Sequence, residues 1–207
     1  MSAEPHACPD CATLQIQLAA KQKEIDDLRE SLARHDILTG SLNRRSLTEL
    51  LGDELQRSSR TGQPFCFALI GIDDMKQINK HFGHDVGDTI LQLVAHEAGT
   101  LLRTLDRFGR IESDEFGIIL PATWLQQGVK ATDRLNAMLT AFDWTRFIGP
   151  HKVTVSTGLT SNAPAETAED MIRRARKAMV QAKSQGRGCV VVIEEELPAG
   201  LFAAMDE

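Results

Sequence analysis

The chain has 207 residues, of which 42% are hydrophobic, and this composition supports one folded domain with a buried core and a short appendage. Its formal net charge of −6 at pH 7 disfavours a general polyanion binder such as a DNA- or RNA-binding protein, so any nucleotide must be bound by a few placed cations. The longest apolar run, residues 65–72, is too short to span a bilayer, and the polar N-terminus has no secretory signal. We therefore expect a cytoplasmic protein that binds neither nucleic acid nor membrane.

Two of the four cysteines, Cys8 and Cys11, form a CxxC pattern near the N-terminus. This spacing is typical of half a zinc site or of a redox pair, and a second chain could supply two more thiolates to a Zn²⁺ ion. The other two, Cys66 and Cys189, lie in apolar strand patterns, where a cysteine packs as a small hydrophobe. We expect residues 1–10 to be a flexible, cysteine-containing tail, with Zn²⁺ at Cys8 and Cys11 as one interpretation.

Residues 11–35 follow a heptad pattern, with charged residues between the seam positions. The seam consists of Cys11, Leu14, Leu18, Lys21, Ile25, Leu28 and Leu32. An apolar seam of this kind needs a partner helix, and the same helix of a second copy would supply one. The sequence therefore predicts a coiled-coil homodimer through residues 11–35, and the alternative is an amphipathic helix that lies on the folded domain.

The pattern beyond residue 35 predicts alternating helices and strands up to residue 194, followed by a C-terminal tail at 195–207. We predict helices at about 46–60, 75–80, 88–102, 124–142 and 167–184, and strands at about 65–72, 106–111, 115–120, 152–159 and 188–194. The expected fold class is α+β, with a mainly antiparallel five-stranded sheet flanked by helices. Trp124 and Trp144 are expected to be packing residues.

One predicted hairpin ends in two adjacent carboxylates, Asp114 and Glu115, just past a tight turn at Glu112-Ser113. Adjacent carboxylates at a hairpin tip can hold a divalent cation that is bound to phosphates, because hard cations prefer oxygen ligands. Acidic pairs are also common at turns because they are soluble and tolerate turn backbone. This segment alone does not decide between the two interpretations.

Four stretches of the chain, in order, resemble the signatures of the GGDEF family of diguanylate cyclases. They are Asp36–Arg45 (family pattern DxLTGxxNRR), Gly71–Asp88 (DxDxFKxxNDxxGHxxGD), Arg110–Phe116 (RxGGDEF) and Ala182–Arg187 (AKxxGR). The resemblance covers residues 36–194 and implies the nucleotidyl-cyclase-like fold of that family. It also implies the family's reaction, in which a dimer uses Mg²⁺ or Mn²⁺ to join two GTP molecules into cyclic di-GMP.

The resemblance further implies a GTP site. Asn79 and Asp88 would contact the guanine base, and their amide and carboxylate groups suit its hydrogen-bonding edges. Lys183 and Arg187 would bind the phosphates. Without the resemblance, Asn79 and Asp88 would be explained as helix caps, and the two cations as an ordinary helix end.

The metal site departs from the family pattern at its first carboxylate. The family's catalytic and metal-binding residues correspond to Asp114 and Glu115, but Gly71 stands where the family has its other metal-binding Asp. Asp73, two residues further along the strand, is too far away to replace that ligand. We therefore expect Mg²⁺ or Mn²⁺ to bind weakly and the cyclase to be weak or inactive.

The turn departs from the pattern as well. Glu112 and Ser113 replace two glycines, which in the family supply positive φ and let the backbone approach the nucleotide. We expect the replacement to add strain, bulk and a negative charge near the triphosphate.

A second site matches the family fully. Arg103-Thr-Leu-Asp106 resembles the inhibitory RxxD site that binds a cyclic di-GMP dimer, and Arg134 stands where the family often has a supporting arginine. Arginine suits this ligand because its planar fork pairs with phosphate and stacks on guanine. Taken alone, RxxD would be a helix-end ion pair.

The sequence thus predicts a catalytically impaired domain that senses cyclic di-GMP through Arg103 and Asp106 and acts on an unknown signalling partner. Two alternatives stay open. One is an active diguanylate cyclase inhibited by its product at the same site, and the other is a GTP-binding or protein-interaction module.

Overall fold

The computed structural model describes residues 9–195, which form an α+β fold. The helices are α1 (Pro9–Arg34), α2 (Arg44–Thr61), α3 (Met75–Phe82), α4 (His84–Leu101), α5 (Leu125–Ala141), α6 (Thr145–Ile148) and α7 (Ala168–Ser184). The strands are β1 (Cys66–Ile72), β2 (Arg107–Arg110), β3 (Glu115–Leu120), β4 (Val155–Ser161) and β5 (Val190–Val192). Within residues 9–195, no helix is both long enough and apolar enough to cross a membrane.

The five strands form one sheet in the order β2-β3-β1-β4-β5. The central strand β1 pairs antiparallel with β3 and β4, and β4 pairs parallel with β5. All seven residues of β1 are buried, as expected for an apolar strand that is covered on both faces. The predicted α+β class and mainly antiparallel sheet are confirmed.

Side chains of β1 alternate between two apolar layers, because successive residues of a strand point to opposite faces. Ala68 and Ile70 pack in the layer that contains α4 and α5, whereas Phe67 and Leu69 pack against α2 and α7. By the same alternation, Gly71 lies on the α7 face. This placement brings the end of α7 over the end of β1.

The described side chains of helix α1 are exposed to solvent. Every described side chain between residues 13 and 34 is exposed, with Leu14 at 62%, Leu18 at 71% and Leu32 at 58%. The alternative in which this helix packs on the domain is therefore wrong. The described apolar residues of the seam are therefore uncovered, whereas the side chains of Cys11 and Leu28, and Cys8 as a whole, lie outside the described residues.

Several element boundaries differ from the predictions. Helix α4 begins at His84 rather than at 88, because Gly83 adopts a φ of 90° and both ends α3 and starts α4. Strand β4 begins at Val155 rather than at 152, and the short helix α6 was not predicted. The connection between β2 and β3 spans residues 111–114, so it is a four-residue loop rather than a two-residue turn.

The core residues expected from the apolar pattern are confirmed only in part. Cys66 is fully buried, and burial raises the pKa of its thiol to about 12, so it packs as a protonated, unreactive side chain. Trp144 is 2% exposed and donates its ring N–H to the Leu139 carbonyl at 2.8 Å. Trp124, in contrast, is 65% exposed, so the prediction that it packs is wrong.

Candidate functional site

The family-like segments meet at one end of the sheet. Gly71, near the end of β1, lies opposite Glu115, the first residue of β3, and the loop 111–114 connects β3 to β2. The backbone N–H of Ile72 donates to the carbonyl of Asp114 at 3.0 Å, which fixes this loop against the end of β1. The C-terminal turns of α7 cover the same end.

Two predicted base-contacting residues lie on the neighbouring helices α3 and α4. Asn79 is inside α3 and the exposed Asp88 is inside α4, whereas Asp74 and Gly83 occupy the N-cap positions of these helices. The alternative in which Asn79 and Asp88 act as helix caps is therefore wrong. Their side chains are available for another role.

Asn79 has an unsatisfied acceptor. Its Oδ1 atom is buried, and within residues 9–195 this oxygen has no hydrogen-bond partner. Gly87 makes room for it, since a Cβ at residue 87 would stand 1.9 Å from this oxygen. Leaving a buried acceptor unpaired costs about 1–3 kcal/mol, so a ligand N–H, such as those on a guanine edge, would stabilise the site.

The α7 helix fills the space beside Gly71. A Cβ at residue 71 would stand 2.8 Å from Met179 Sδ and 2.9 Å from Lys183 Nζ. The Lys183 ammonium thus lies where the family's metal-binding carboxylate would begin. Within residues 9–195, the half-buried Lys183 side chain makes no hydrogen bond or ion pair.

Asp73 serves the fold rather than a ligand. It is 4% exposed and its carboxylate accepts hydrogen bonds from Ser156 Oγ at 2.7 Å, Thr154 Oγ1 at 2.8 Å and the Gly188 N–H at 3.2 Å. These bonds connect the end of β1 to β4 and to the start of β5. Asp73 is therefore engaged by the fold and is not available to replace the carboxylate missing at residue 71.

Glu112 and Glu115 are both paired with Arg176 of α7. Arg176 Nη2 lies 2.7 Å from Glu115 Oε2 and 3.0 Å from Glu112 Oε1, and Arg44 Nη1 lies 3.3 Å from Glu112 Oε1. Burial alone would lower the pKa of Arg176, but its bonds to the two glutamates outweigh burial and raise it. The negative charge expected near the triphosphate is therefore neutralised inside the protein.

The strain expected at the substituted turn is also absent from the structure. Among residues 9–195, positive φ outside glycine occurs only at Asp74, Ala122, Ala165 and Arg187, so Glu112 and Ser113 adopt ordinary backbone conformations. The longer loop explains the difference, because a four-residue connection does not need the mirror-image turn that a two-residue hairpin requires. The prediction of strain at this turn is wrong.

The carboxylates at this end do not fit the family's metal. Asp114 accepts a hydrogen bond from Ser113 Oγ at 2.9 Å, Glu115 is bound to Arg176, and Gly71 offers no ligand. Mg²⁺ and Mn²⁺ require several oxygen ligands, and the nearby ammonium of Lys183 repels a cation. Among the described residues, no group of three or more His, Cys, Asp or Glu side chains could hold a metal ion, and nothing there supports Zn²⁺.

The RxxD segment forms a turn that leaves its arginine available. The Arg103 N–H donates to Asp106 Oδ2 at 2.8 Å, and the Asp106 N–H donates to the Arg103 carbonyl at 3.0 Å. The exposed guanidinium of Arg103 makes no ion pair with any carboxylate in the described part of the chain. The alternative of a helix-end ion pair between these two residues is therefore wrong.

A cavity of about 270 Å³ adjoins this turn. Arg103, Asp106 and Arg134 line its polar side, and Arg134 Nη2 donates to the Leu101 carbonyl at 3.0 Å. Ile118 and Leu135 are among its apolar lining residues. The structure thus brings the three predicted residues of the inhibitory site together at one pocket.

Two cations at these sites were not found from the sequence. Lys130 lines the same cavity and lies one helical turn before Arg134 on α5, so its spacing of four residues was a usable signal. Arg176 pairs with glutamates 61 and 64 residues away in the chain, and no local pattern indicates such a contact.

Comparisons with known proteins agree with the family resemblance found in the sequence. The family model described as "Diguanylate cyclase, GGDEF domain" matches residues 33–189. The chain is 36% identical over 176 residues to the diguanylate cyclase DgcP of Pseudomonas aeruginosa, a match that covers 84% of this chain. The chain spans about a quarter of the length of DgcP, since the match covers 26% of that relative.

Solved structures show the same fold. The diguanylate cyclase SiaD of Pseudomonas aeruginosa, in complex with its activator SiaC, is 31% identical with a TM-score of 0.75, covering 89% of this chain and 71% of that one. A microbial GGDEF domain described for its interaction with bis-(3′,5′)-cyclic di-GMP is 29% identical with a TM-score of 0.69, covering 79% of this chain and 99% of that one.

Proposed function

Because the chain belongs to the family of diguanylate cyclase GGDEF domains, we propose that it is a cyclic di-GMP signalling protein with an impaired cyclase site. In this proposal, residues 36–194 form the GGDEF domain, and its pocket at Arg103, Asp106 and Arg134 binds cyclic di-GMP.

The pocket beside Arg103 is the observation that supports ligand binding most directly. The guanidinium is exposed at the edge of a cavity of about 270 Å³, and Asp106 is bonded to backbone rather than to that guanidinium. A guanidinium without an internal partner can pair with a phosphate and stack on a guanine face. Arg134 and Lys130 add positive charge to the same pocket.

Impaired catalysis follows from the other end of the sheet. Joining two GTP molecules requires metal ions that neutralise charge at the reacting phosphate. Residue 71 lacks the carboxylate, and Glu115 is held by Arg176 at 2.7 Å. In this proposal Asp114 and Glu115 are the remaining part of the family's catalytic pair, and they hold Mg²⁺ or Mn²⁺ poorly.

Titration calorimetry with cyclic di-GMP tests the proposal. We expect the wild-type chain to bind, and Arg103→Ala to weaken binding by about tenfold or more, because a charged hydrogen bond contributes about 1.5–3 kcal/mol. Arg173→Ala is the matched control, since Arg173 is an exposed arginine of α7 outside this pocket and should leave affinity unchanged. Absence of wild-type affinity, or equal affinity of Arg103→Ala, would exclude this function.

One observation favours the alternative of an active, product-inhibited cyclase. The loop with Glu112 and Ser113 has ordinary backbone angles, so the altered turn by itself does not distort the site. Incubation of the purified chain with GTP and either Mg²⁺ or Mn²⁺ separates the alternatives. We expect no cyclic di-GMP product, and steady turnover would show that the site is not impaired.

We further propose that residues 11–35 form a homodimeric coiled coil. The described seam residues Leu14, Leu18, Ile25 and Leu32 are all exposed, and they are spaced as a heptad requires. The full chain should sediment as a dimer and Leu18→Lys as a monomer, whereas Gln22→Lys, outside the seam, should remain dimeric. A monomeric wild-type chain would contradict this proposal.

A further inference from the structure

We propose that Arg176 of α7 takes the place of a divalent cation at the carboxylate end of the sheet, where it neutralises Glu112 and Glu115 and holds the loop 111–114 closed against α7. This role for Arg176 rests on the proposed function, because it explains why the cyclase site is impaired. The family's metal does not fit the side chains at this end, and the chain supplies a cation of its own there.

Arg176 joins the two glutamates, as a cation shared between carboxylates does. Its Nε and Nη2 atoms lie 3.1 and 2.7 Å from Glu115 Oε2, and Nη2 also lies 3.0 Å from Glu112 Oε1. Two carboxylates that would otherwise repel each other therefore share one positive charge. The Glu115 side chain is only 15% exposed, so solvent and salt screen this pairing less than they screen a fully exposed ion pair.

Glu112 extends the contact to a second helix. Its Oε1 atom, which accepts from Arg176, also lies 3.3 Å from Nη1 of Arg44, the first residue of α2. The loop 111–114 is thus tied to both α2 and α7. The glycine that the family has at position 112 offers no carboxylate, so the substitution and the arginine belong together: Glu112 supplies the second acidic partner that fixes the guanidinium.

A second cation of the same helix lies where the family's other metal-binding carboxylate would begin. Lys183 follows Arg176 by about two helical turns, so both side chains lie on the same face of α7. Its Nζ atom lies 2.9 Å from where a Cβ of residue 71 would stand. Gly71 and Glu115 are opposite each other in the register of β1 and β3. Helix α7 therefore places one positive charge at each of these paired positions, and both charges repel a divalent cation.

The expected consequence is a loop whose conformation does not depend on a divalent cation. The guanidinium is part of the chain and cannot dissociate from it. Removing this charge should leave Glu112 and Glu115 close together and unpaired by Arg176, and neighbouring carboxylates attract hard cations. Arg176→Met should then make the stability of the domain depend on a divalent cation. An ion pair with a merely structural role would lose stability without gaining that dependence.

Thermal unfolding of the full chain in EDTA and in MnCl₂ tests this role. The wild-type Tm should differ by less than about 1 °C between the two buffers. Arg176→Met should have a Tm in EDTA that is lower by about 5 °C, and MnCl₂ should restore about 2 °C or more, because an ion that binds only the folded state stabilises it. Electron paramagnetic resonance of free Mn²⁺ should show uptake by Arg176→Met and not by wild type. A lower Tm without recovery in MnCl₂, or equal uptake of Mn²⁺ by the two chains, would overturn the proposal.

Two further variants control the experiment. Arg173→Met removes an exposed arginine of the same helix that pairs with Asp170, so its Tm should not depend on MnCl₂. The double variant Arg176→Met/Glu112→Gln keeps only one of the two carboxylates and should lose the recovery. Full recovery in the double variant would show that Glu112 is not a partner of the replaced charge. Should Arg176→Met fail to fold in both buffers, Arg176→Gln, which keeps a polar side chain between the glutamates, decides between the same outcomes.

The role of Arg176 and the proposed function fail in different ways. Steady production of cyclic di-GMP by the wild-type chain would exclude an impaired site. A Tm of Arg176→Met that is the same in EDTA and in MnCl₂ would exclude the role of Arg176 and attribute the impairment to Gly71 alone.

Discussion

The two ends of the GGDEF domain use the same kinds of residue in opposite ways. At the end near Gly71, Arg176 is bound by Glu112 and Glu115, so its charge is neutralised within the protein. At the RxxD pocket, Asp106 is bonded to the backbone N–H of Arg103, and the guanidinium has no counter-charge within residues 9–195. Signature residues therefore do not indicate a ligand site by themselves. The deciding feature is whether other side chains of the protein already neutralise their charges.

Substitutions at the first end should consequently change stability, and substitutions at the pocket should change ligand affinity. Four variants test this comparison, in order of their expected effect on the free energy of unfolding.

Asp73→Ala should have the largest effect. It removes a buried carboxylate and leaves two hydroxyls and one N–H without their acceptor, so we expect a loss of about 3 kcal/mol in urea unfolding. Asp53→Ala, at an exposed aspartate, should change the free energy by less than about 0.5 kcal/mol. Equal stabilities would mean that the bonds of Asp73 contribute little to folding.

Arg176→Met should cost about 2 kcal/mol, because it leaves two glutamates near each other without a cation. Arg173→Met, on the same helix, breaks only an exposed ion pair and should cost less than about 1 kcal/mol. Cyclic di-GMP affinity should stay at the wild-type value in both. A loss of that affinity in Arg176→Met would break the separation between the two ends.

Asp36→Asn tests the pH dependence of stability. Burial alone would raise the pKa of Asp36, but its hydrogen bonds from Thr39 and its pairing with Arg110 outweigh burial and lower it below 3.8. A lowered folded-state pKa means that the stabilisation is present above the ordinary pKa and is lost as pH falls through the folded value.

The difference in unfolding free energy between wild type and Asp36→Asn should therefore be under about 1 kcal/mol at neutral pH. It should shrink when the pH is lowered below 3.8. Urea unfolding at a series of pH values measures it. If the difference grew on acidification, the pKa of Asp36 would not be lowered in the folded state.

Arg103→Ala should have the smallest effect on stability, less than about 0.5 kcal/mol, because its guanidinium is exposed and has no partner in the described chain. Its effect on cyclic di-GMP affinity should still be tenfold or more, roughly, as argued above. A large loss of stability would show that Arg103 acts in the fold.

Much of the fold was predictable because it depends on local patterns. The apolar run at 65–72 indicated the central strand, whereas the RxxD site was identified only through the resemblance of Arg103-Thr-Leu-Asp106 to the family's inhibitory site. Backbone angles are set by loop length and tertiary contacts, so the sequence wrongly predicted strain at Glu112-Ser113.

The sequence also did not predict contacts between residues that are far apart in the chain. The sequence indicated that residue 71 lacks a ligand, but not that Lys183, 112 positions later, lies in the vacated space. Residue 71 and Lys183 meet only because α7 packs against the sheet at β1 and β4. Trp124 was expected to pack because it is apolar, but its apolar character does not reveal that the residue just before α5 faces solvent.

The placement of the two tryptophans gives the protein a useful intrinsic fluorescence signal. The chain has two tryptophans and no tyrosine, so indole dominates its near-ultraviolet emission. Trp144 is 2% exposed, whereas Trp124 is 65% exposed and immediately precedes the helix whose Gln127 and Lys130 line the RxxD cavity. The buried ring should emit at shorter wavelength than the exposed one. In Trp144→Phe, the remaining emission would come from Trp124 alone, and it could follow occupation of the cavity without a chemical label.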